Sequence, residues 1–108
     1  MEKMKAVAVA CTLMLMTSNV YAVSDAAKVG ANAGAMMYCY ENVAKSSQHS
    51  KYKILKIHTY DEYKKLPDSD RAKALIMKKS AEDGDYLGDR LDSRRCDSLR
   101  KMLYVKYN

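Results

Sequence analysis

The sequence predicts an all-α fold, a small single-domain bundle of about four helices with one disulfide joining the first and last helices. Three observations lead to this prediction: a Pro-free run rich in Ala and Met, two later segments with helix-capping residues, and one pair of cysteines beyond the N-terminal segment. The chain has 108 residues and contains neither Phe nor Trp, so aliphatic residues, Met and Tyr must build its core. Such small domains often need a covalent staple.

The N-terminus has the pattern of a secretory signal peptide. A basic start over residues 1–5 precedes an uncharged, mostly apolar run over residues 6–16. That run has the length of an h-region and is shorter than the about 20 residues of a membrane span. We expect cleavage after Ala22, which leaves residues 23–108 as the domain, 108 minus 22 or 86 residues long, with no membrane span. The mature protein is then periplasmic or secreted.

The cysteines predict a structural disulfide between Cys39 and Cys96. Cys11 lies inside the predicted signal peptide and its position does not suit a lipidated cysteine, so it is expected to be discarded. Pairs of this kind close in an oxidising compartment. The two cysteines are 96 minus 39, or 57, positions apart, for which the loop-entropy model gives about 4 kcal/mol of stabilisation. A redox-active pair is disfavoured, since there is no Cys-x-x-Cys spacing.

The first helix is predicted over residues 26–44, with Ser24 as its N-cap and Asp25 at the positive end of its dipole. Gly30 and Gly34 lie on one flat stripe of this helix, and each costs about 1 kcal/mol relative to Ala. We therefore expect these glycines to be helix-packing residues that let a neighbouring segment approach closely. The same stripe contains Ala26, Ala33 and Met37.

The middle of the chain is ambiguous. Residues 45–51 contain no apolar side chain and are predicted to form a solvated loop. Residues 52–66 form either one bent helix, or an extended piece over 52–58 followed by a short helix that Thr59 and Glu62 would cap. The extended alternative implies a small mixed fold, which is disfavoured because a lone strand has no partner.

Two further helices are predicted in the C-terminal half. Asp68 opens the first of them and Gly84 closes it. Its inward residues are expected to be Ala72, Leu75, Ile76 and the stem of Lys79. In the connection over residues 85–91, Tyr86 and Leu87 are expected to enter the core while Gly88 makes the turn. Asp92 or Ser93 caps the last helix, which presents Cys96, Leu99 and Leu103 inward, and residues 104–108 are expected to fray.

The sequence shows no catalytic motif, so we expect no enzyme, no cofactor and no metal site. His49 and His58 with a carboxylate are a weak alternative metal site. The acidic residues from Glu82 to Asp92 match half of a calcium loop, but Arg94 stands at the position of the bidentate Glu. Helix capping and solubility explain these acidic residues adequately.

The chain is basic, with a formal net charge of +6, and several of its basic residues are interleaved with Tyr. A candidate face for an anionic partner comprises Lys51, Lys53, Lys64, Lys65, Arg94, Arg95, Arg100, Lys101 and Tyr104. Such a pattern suits nucleic acid, anionic lipid or an acidic protein, and nucleic acid is disfavoured for an exported chain. A solvated helix surface carries the same residues.

Two function classes fit these observations. The first is an exported bacterial envelope protein that acts by protein–protein interaction, as an inhibitor or immunity-type binding module. Its expected partner is a protein of the cell envelope, and the sequence leaves open whether that partner is acidic. The second is a periplasmic stress or acid-responsive chaperone-like protein. Its layout, one disulfide between early and late helices, looks like that of periplasmic acid-stress chaperones, with which the chain shares no residue motif. The sequence does not indicate an oligomeric state.

Overall fold

A computed structural model describes residues 24–107, and the predicted signal peptide and Cys11 lie outside these residues. The described helices are α1 Asp25–Asn42, α2 His49–Lys64, α3 Asp68–Glu82 and α4 Ser93–Tyr107, with a 3-10 turn at Ser46–Gln48. Two short antiparallel strands, β1 Asp85–Tyr86 and β2 Asp89–Arg90, form a hairpin between α3 and α4. The all-α prediction is confirmed. Within residues 24–107 no helix has the length and apolarity needed to cross a bilayer.

Helix α1 begins at the predicted cap and lies at the centre of the fold. The side-chain oxygen of Ser24 accepts a hydrogen bond from the backbone N–H of Ala27 at 3.1 Å. Most of α1 from Ala26 to Cys39 is buried, because the other helices pack around it.

Helix α3 lies directly on α1 at the two glycines. A Cβ added to Gly30 would stand 2.1 Å from the carbonyl oxygen of Ala74, and one added to Gly34 would stand 2.1 Å from the carbonyl oxygen of Lys78. Real Cβ atoms do not approach backbone oxygens this closely. The contact between α1 and α3 is therefore possible because both positions are glycine.

Cys39 and Cys96 form the predicted disulfide, with their Cα atoms 5.8 Å apart, and join α1 to α4. Both cysteines are fully buried. The core around them is built mainly from Met36, Tyr52, Leu55, Tyr86, Leu91, Leu99 and Leu103. The prediction that a disulfide joins the first and last helices is confirmed.

Helix α2 is continuous from His49 to Lys64, so the extended alternative over residues 52–58 is wrong. The predicted loop over residues 45–51 is also wrong at its end, since α2 begins at His49. Thr59 is not a cap, because its hydroxyl donates to the carbonyl oxygen of Leu55 at 2.7 Å inside the helix. The buried side of α2 follows the three-and-four spacing through Tyr52, Leu55, Thr59 and Tyr63.

Helix α3 turns a different side inward from the predicted one. Its buried residues are Ala74 and Ala81. The residues predicted to face inward are exposed: Ala72, Leu75, Ile76 and Lys79. The reason is the close approach to α1, which leaves room for alanine at the interface and not for a larger side chain. The predicted cap is also shifted, because Asp68 is the first helical residue and Pro67 precedes it without a capping hydrogen bond.

The connection over residues 85–91 has its turn at the predicted Gly88, but it forms a short two-stranded hairpin that was not predicted. Gly84 ends α3 with a φ of 97°, while Leu87 and Gly88 form the turn with φ of 49° and 96°. Tyr86 is buried, and its hydroxyl donates to the side-chain oxygen of Asn32 on α1 at 2.8 Å. This hydrogen bond ties the hairpin to the central helix.

Helix α4 is capped by Asp92, whose carboxylate accepts from the backbone N–H of Arg95 at 2.8 Å. The predicted fraying is wrong over residues 104–107, because α4 continues to Tyr107, and Asn108 lies outside the described residues. The Tyr107 hydroxyl donates to the Glu62 carboxylate on α2 at 2.9 Å, and the Lys106 ammonium bonds the same carboxylate at 3.1 Å. These contacts order the last turn of α4.

Candidate interaction surface

The structure divides the predicted basic residues among three places. Lys51, Lys53 and Lys64 lie on α2, and Lys51 shares a groove with Arg100 and Tyr104 of α4. Lys65 follows the end of α2. Arg94 and Arg95 lie beside the hairpin, in a shallow cleft of their own. The predicted residues therefore line at least two separate clefts.

The groove between α2 and α4 is open to solvent and has a volume of about 290 Å³. Its lining residues are Lys51, Ile54, Leu55, His58, Arg100, Tyr104 and Tyr107. Ile54 is 55% exposed and Tyr104 is 57% exposed. The His58 ring stacks on the Tyr107 ring at 5.3 Å.

The positive charge of Arg100 is largely neutralised within the fold. Its guanidinium donates to the Asp97 carboxylate at 2.7 Å and lies 5.9 Å from the centre of the Tyr52 ring. The hydrogen bond from Arg100 lowers the pKa of Asp97, which therefore stays ionised. Lys101 bonds the same carboxylate at 3.3 Å, so the predicted residues Arg100 and Lys101 are both engaged inside the chain.

Helix α2, in contrast, carries lysines without an ion-pair partner. Among the described residues no carboxylate lies within ion-pair distance of Lys51, Lys53, Lys56 or Lys64. The two carboxylates of α2 form ion pairs with other lysines. Asp61 pairs with Lys65 at 3.0 Å, a contact that lowers the pKa of Asp61, and Glu62 pairs with Lys106.

Large apolar side chains lie between these lysines. Ile54, Ile57 and Tyr60 are 55%, 58% and 41% exposed. They are exposed because the buried stripe of α2 consists of other residues, which leaves them on the opposite side of the helix. We define the α2 face as six exposed residues and the half-buried Lys56: Lys51, Lys53, Ile54, Lys56, Ile57, Tyr60 and Lys64.

A second groove flanks the α2 face on its other side, between α1, α2 and α3, with a volume of about 350 Å³. We call it the three-helix groove. It is lined by Ala33, Met37, Lys56, Ile57, Tyr60, Asp61, Lys64 and Lys78. The ammonium groups of Lys64 and Lys78 lie 5.0 Å and 5.6 Å from the centre of the Tyr60 ring, within the range of cation–π attraction.

Arg95 belongs to the hairpin side of the molecule. Its guanidinium bonds the Asp89 carboxylate at 3.0 Å and lies 5.6 Å from the centre of the Tyr86 ring. Its Nε is buried and has no hydrogen-bond partner among residues 24–107. These contacts position Arg95 as part of the hairpin packing, away from the α2 face.

The residues considered as alternative metal ligands make other contacts in the structure. The His49 ring packs against the Tyr40 ring with centroids 5.0 Å apart, whereas the His58 ring stacks on the Tyr107 ring. The two histidines therefore contact different aromatic residues. Among the acidic residues, Asp85 accepts from the backbone N–H of Gly88 at 2.8 Å, and Asp92 caps α4. Within residues 24–107, no three His, Cys, Asp or Glu side chains are grouped so that they could hold a metal ion.

Ile54, Lys56, Ile57 and Tyr60 are not among the site residues predicted from the sequence. For Ile57 and Tyr60 the signal is their spacing relative to Lys53 and Lys64, which places these four residues along one side of a helix. That signal is readable only if residues 49–64 form a single helix, which the sequence left open.

Comparison of the chain with protein-family models, with curated proteins and with solved structures gives no match.

Proposed function

We propose that this chain is an exported protein of the bacterial cell envelope that binds a protein partner through its α2 face. It acts as an inhibitor or immunity-type binding module and not by catalysis. The observation that supports this proposal is the cluster of Ile54, Ile57 and Tyr60, all exposed, among lysines without ion-pair partners. Protein interfaces combine an apolar and aromatic centre with a polar rim.

The charge of the α2 face supports an acidic partner. Lys53, Lys56 and Lys64 have no carboxylate within ion-pair distance among the described residues, so none of them forms an ion pair within the described fold. Carboxylates on a partner would complement them, accelerate association and make binding depend on salt concentration. The apolar residues between the lysines would then supply most of the affinity.

Export is supported by two features of different kinds. The N-terminal segment has the basic start, apolar run and cleavage pattern of a signal peptide. The buried Cys39–Cys96 disulfide suits an oxidising compartment such as the periplasm. An envelope location also restricts the partner to exported or membrane-attached proteins.

The test is site-specific photo-crosslinking in living cells. A photoreactive amino acid replaces Ile57 on the α2 face or, as the matched control, Ile76 on α3, which is 62% exposed. The proposal predicts one discrete adduct from position 57 and none of the same mass from position 76. Equal adducts from both positions, or an adduct from position 76 alone, would contradict it.

One observation favours the acid-responsive chaperone as the second candidate. The Glu62 carboxylate accepts from both Lys106 and Tyr107, so a single carboxylate joins α2 to the end of α4. Loss of these two contacts would release the last turn of α4. Binding of an apolar dye that rises at low pH with the disulfide closed would support this candidate, and unchanged dye binding would eliminate it.

A further inference from the structure

The three-helix groove exists because α3 packs more tightly on α1 than α2 packs on α3. Gly30 and Gly34 bring the α3 backbone onto α1. Ala33, between them in sequence, then leaves its small side chain at the bottom of the groove, next to the half-buried Met37. The result is a cleft with an apolar floor between α2 and α3.

The walls of the groove combine an aromatic surface with positive charge. Ile57 and Tyr60 line the groove on the α2 side, and three lysines, Lys56, Lys64 and Lys78, line it as well. Lys56 also lies 4.9 Å from the centre of the Tyr40 ring. An occupant therefore meets apolar atoms inside the groove and cations around its opening.

These three lysines are not equivalent. Lys78 bonds Glu82, and its side chain is only 12% exposed. Asp61, the one acidic lining residue, pairs with Lys65 outside the groove. Lys56 and Lys64 form no ion pair with a described carboxylate, although the charge of Lys64 contributes to the lowered pKa of Asp61. In sequence they flank Ile57 and Tyr60, the residues of the α2 wall.

We infer that the three-helix groove is an anchor pocket that receives an apolar side chain of the acidic protein partner, with neighbouring carboxylates of that partner bound separately by Lys56 and by Lys64. This inference rests on the proposed function and specifies the partner's chemistry at the α2 face. Apolar anchors inserted into pockets dominate the energetics of many interfaces. The cation rim makes the pocket select an anchor with an acid beside it over an anchor that stands alone.

The pocket can be tested without the partner by using small probes of matched shape. The purified disulfide-bonded protein is titrated with 3-phenylpropionate, with the neutral 3-phenylpropanamide and with the cationic 3-phenylpropylamine, and NMR shifts of the Ile57 methyl groups and Tyr60 ring are followed. The inference predicts saturable shifts with the carboxylate, weaker binding of the amide and weakest binding of the amine. No shift, or equal affinity for all three probes, would overturn it.

Variants at the rim and the floor localise the effect. Lys64→Gln should weaken the binding of 3-phenylpropionate about three-fold, whereas Lys73→Gln on α3 should leave it unchanged. Ala33→Leu should abolish binding by filling the groove, and a far-UV spectrum identical to that of the parent protein shows that the fold survives. If Ala33→Leu disrupts the fold, the Lys64 and Lys73 pair decides the question alone.

Different experimental results would overturn the anchor pocket and the proposed function. A crosslink from position 57 with no probe binding would retain the binding surface and overturn the anchor pocket. Probe binding together with a Lys64→Gln variant that keeps its full crosslink from position 54 would show that free small acids use the groove and the partner does not, which also overturns the inference.

Discussion

The α-carbon of Gly30 faces the carbonyl oxygen of Ala74 so closely that an added Cβ would stand 2.1 Å from that oxygen. This relationship sets the distance between α1 and α3. It explains why the buried residues of α3 are the alanines Ala74 and Ala81, why Leu75 and Ile76 are exposed, and why a groove remains beside α2.

Gly30→Ala is expected to lower the free energy of unfolding by about 3 kcal/mol or more, because the added methyl group meets backbone that cannot rotate away. The gain in helix propensity of about 1 kcal/mol is too small to compensate. Gly88→Ala is the control, since Gly88 has a φ of 96° but open space around it, and should cost only about 1 kcal/mol. Urea unfolding measures both. A Gly30 variant no less stable than the Gly88 variant would contradict this packing.

Cys39→Ser and Cys96→Ser are expected to be about equally destabilising, by about 4 kcal/mol each in the loop-entropy model. The double variant should be no less stable than either single variant, because each change already removes the whole crosslink. Thermal or denaturant unfolding under oxidising conditions provides the comparison. Additive losses would mean that the effect of each cysteine is not due to their bond.

How far the sequence predicts this fold depends on which side chains fill the interfaces. The cap at Ser24, the disulfide, and the inward residues Cys96, Leu99 and Leu103 follow from local chemistry and from apolar spacing. The orientation of α3 does not, because its interface is defined by glycines on another helix. A pattern of large apolar residues indicates the buried side only where the neighbouring helix leaves room for them.

The α2 face illustrates the same limit for the candidate site. The buried stripe of α2 uses Tyr52, Thr59 and Tyr63, residues that a sequence reading places at the surface as readily as in the core. Ile54 and Ile57 are exposed instead, so hydrophobicity alone assigns the wrong side. The predicted lysines of α2, Lys51, Lys53 and Lys64, belong to the α2 face. Arg95 instead bonds Asp89, and Lys101 bonds Asp97.

Glu62→Gln is expected to destabilise the end of α4, since Glu62 bonds both Lys106 and Tyr107. The neutral amide removes the ion pair and should cost about 1 kcal/mol. Backbone amides of residues 104–107 should exchange faster with solvent, while those near Cys96 remain protected. Glu41→Gln on the exposed side of α1 is the charge-matched control. Unchanged exchange at residues 104–107 would show that the Glu62 contacts do not hold this turn.

The protein is expected to lose stability in alkali above about pH 10. Burial raises the pKa of Tyr52, Tyr86 and Tyr107 above the usual value of 10.0. Because the folded state holds these hydroxyls neutral, their contribution is complete below pH 10 and is lost as the pH rises through the folded pKa. Phenolate absorbance and circular dichroism should show these tyrosines ionising together with unfolding. Their ionisation near pH 10 without any loss of structure would contradict the buried positions.

Tyr107→Phe tests the contribution of one hydroxyl to this alkaline transition. Phe cannot ionise, so stability should fall less steeply with pH than in the parent protein, while the lost hydrogen bond to Glu62 lowers stability at neutral pH by about 1 kcal/mol. An unchanged slope would assign the alkaline loss to the other buried tyrosines.

The central claim is that the lysines and apolar residues of the α2 face bind an acidic protein partner. The most direct test first identifies the partner that crosslinks from position 57. The dissociation constant of the complex between this protein and that partner is then measured. Two triple Lys→Gln variants with equal loss of charge are compared, one at Lys53, Lys56 and Lys64, the other at Lys45, Lys73 and Lys79. Neutralising the α2 lysines should weaken binding about ten-fold or more and flatten its salt dependence, with the second variant within about two-fold of the parent. Equal weakening by both variants, or by neither, would contradict the claim.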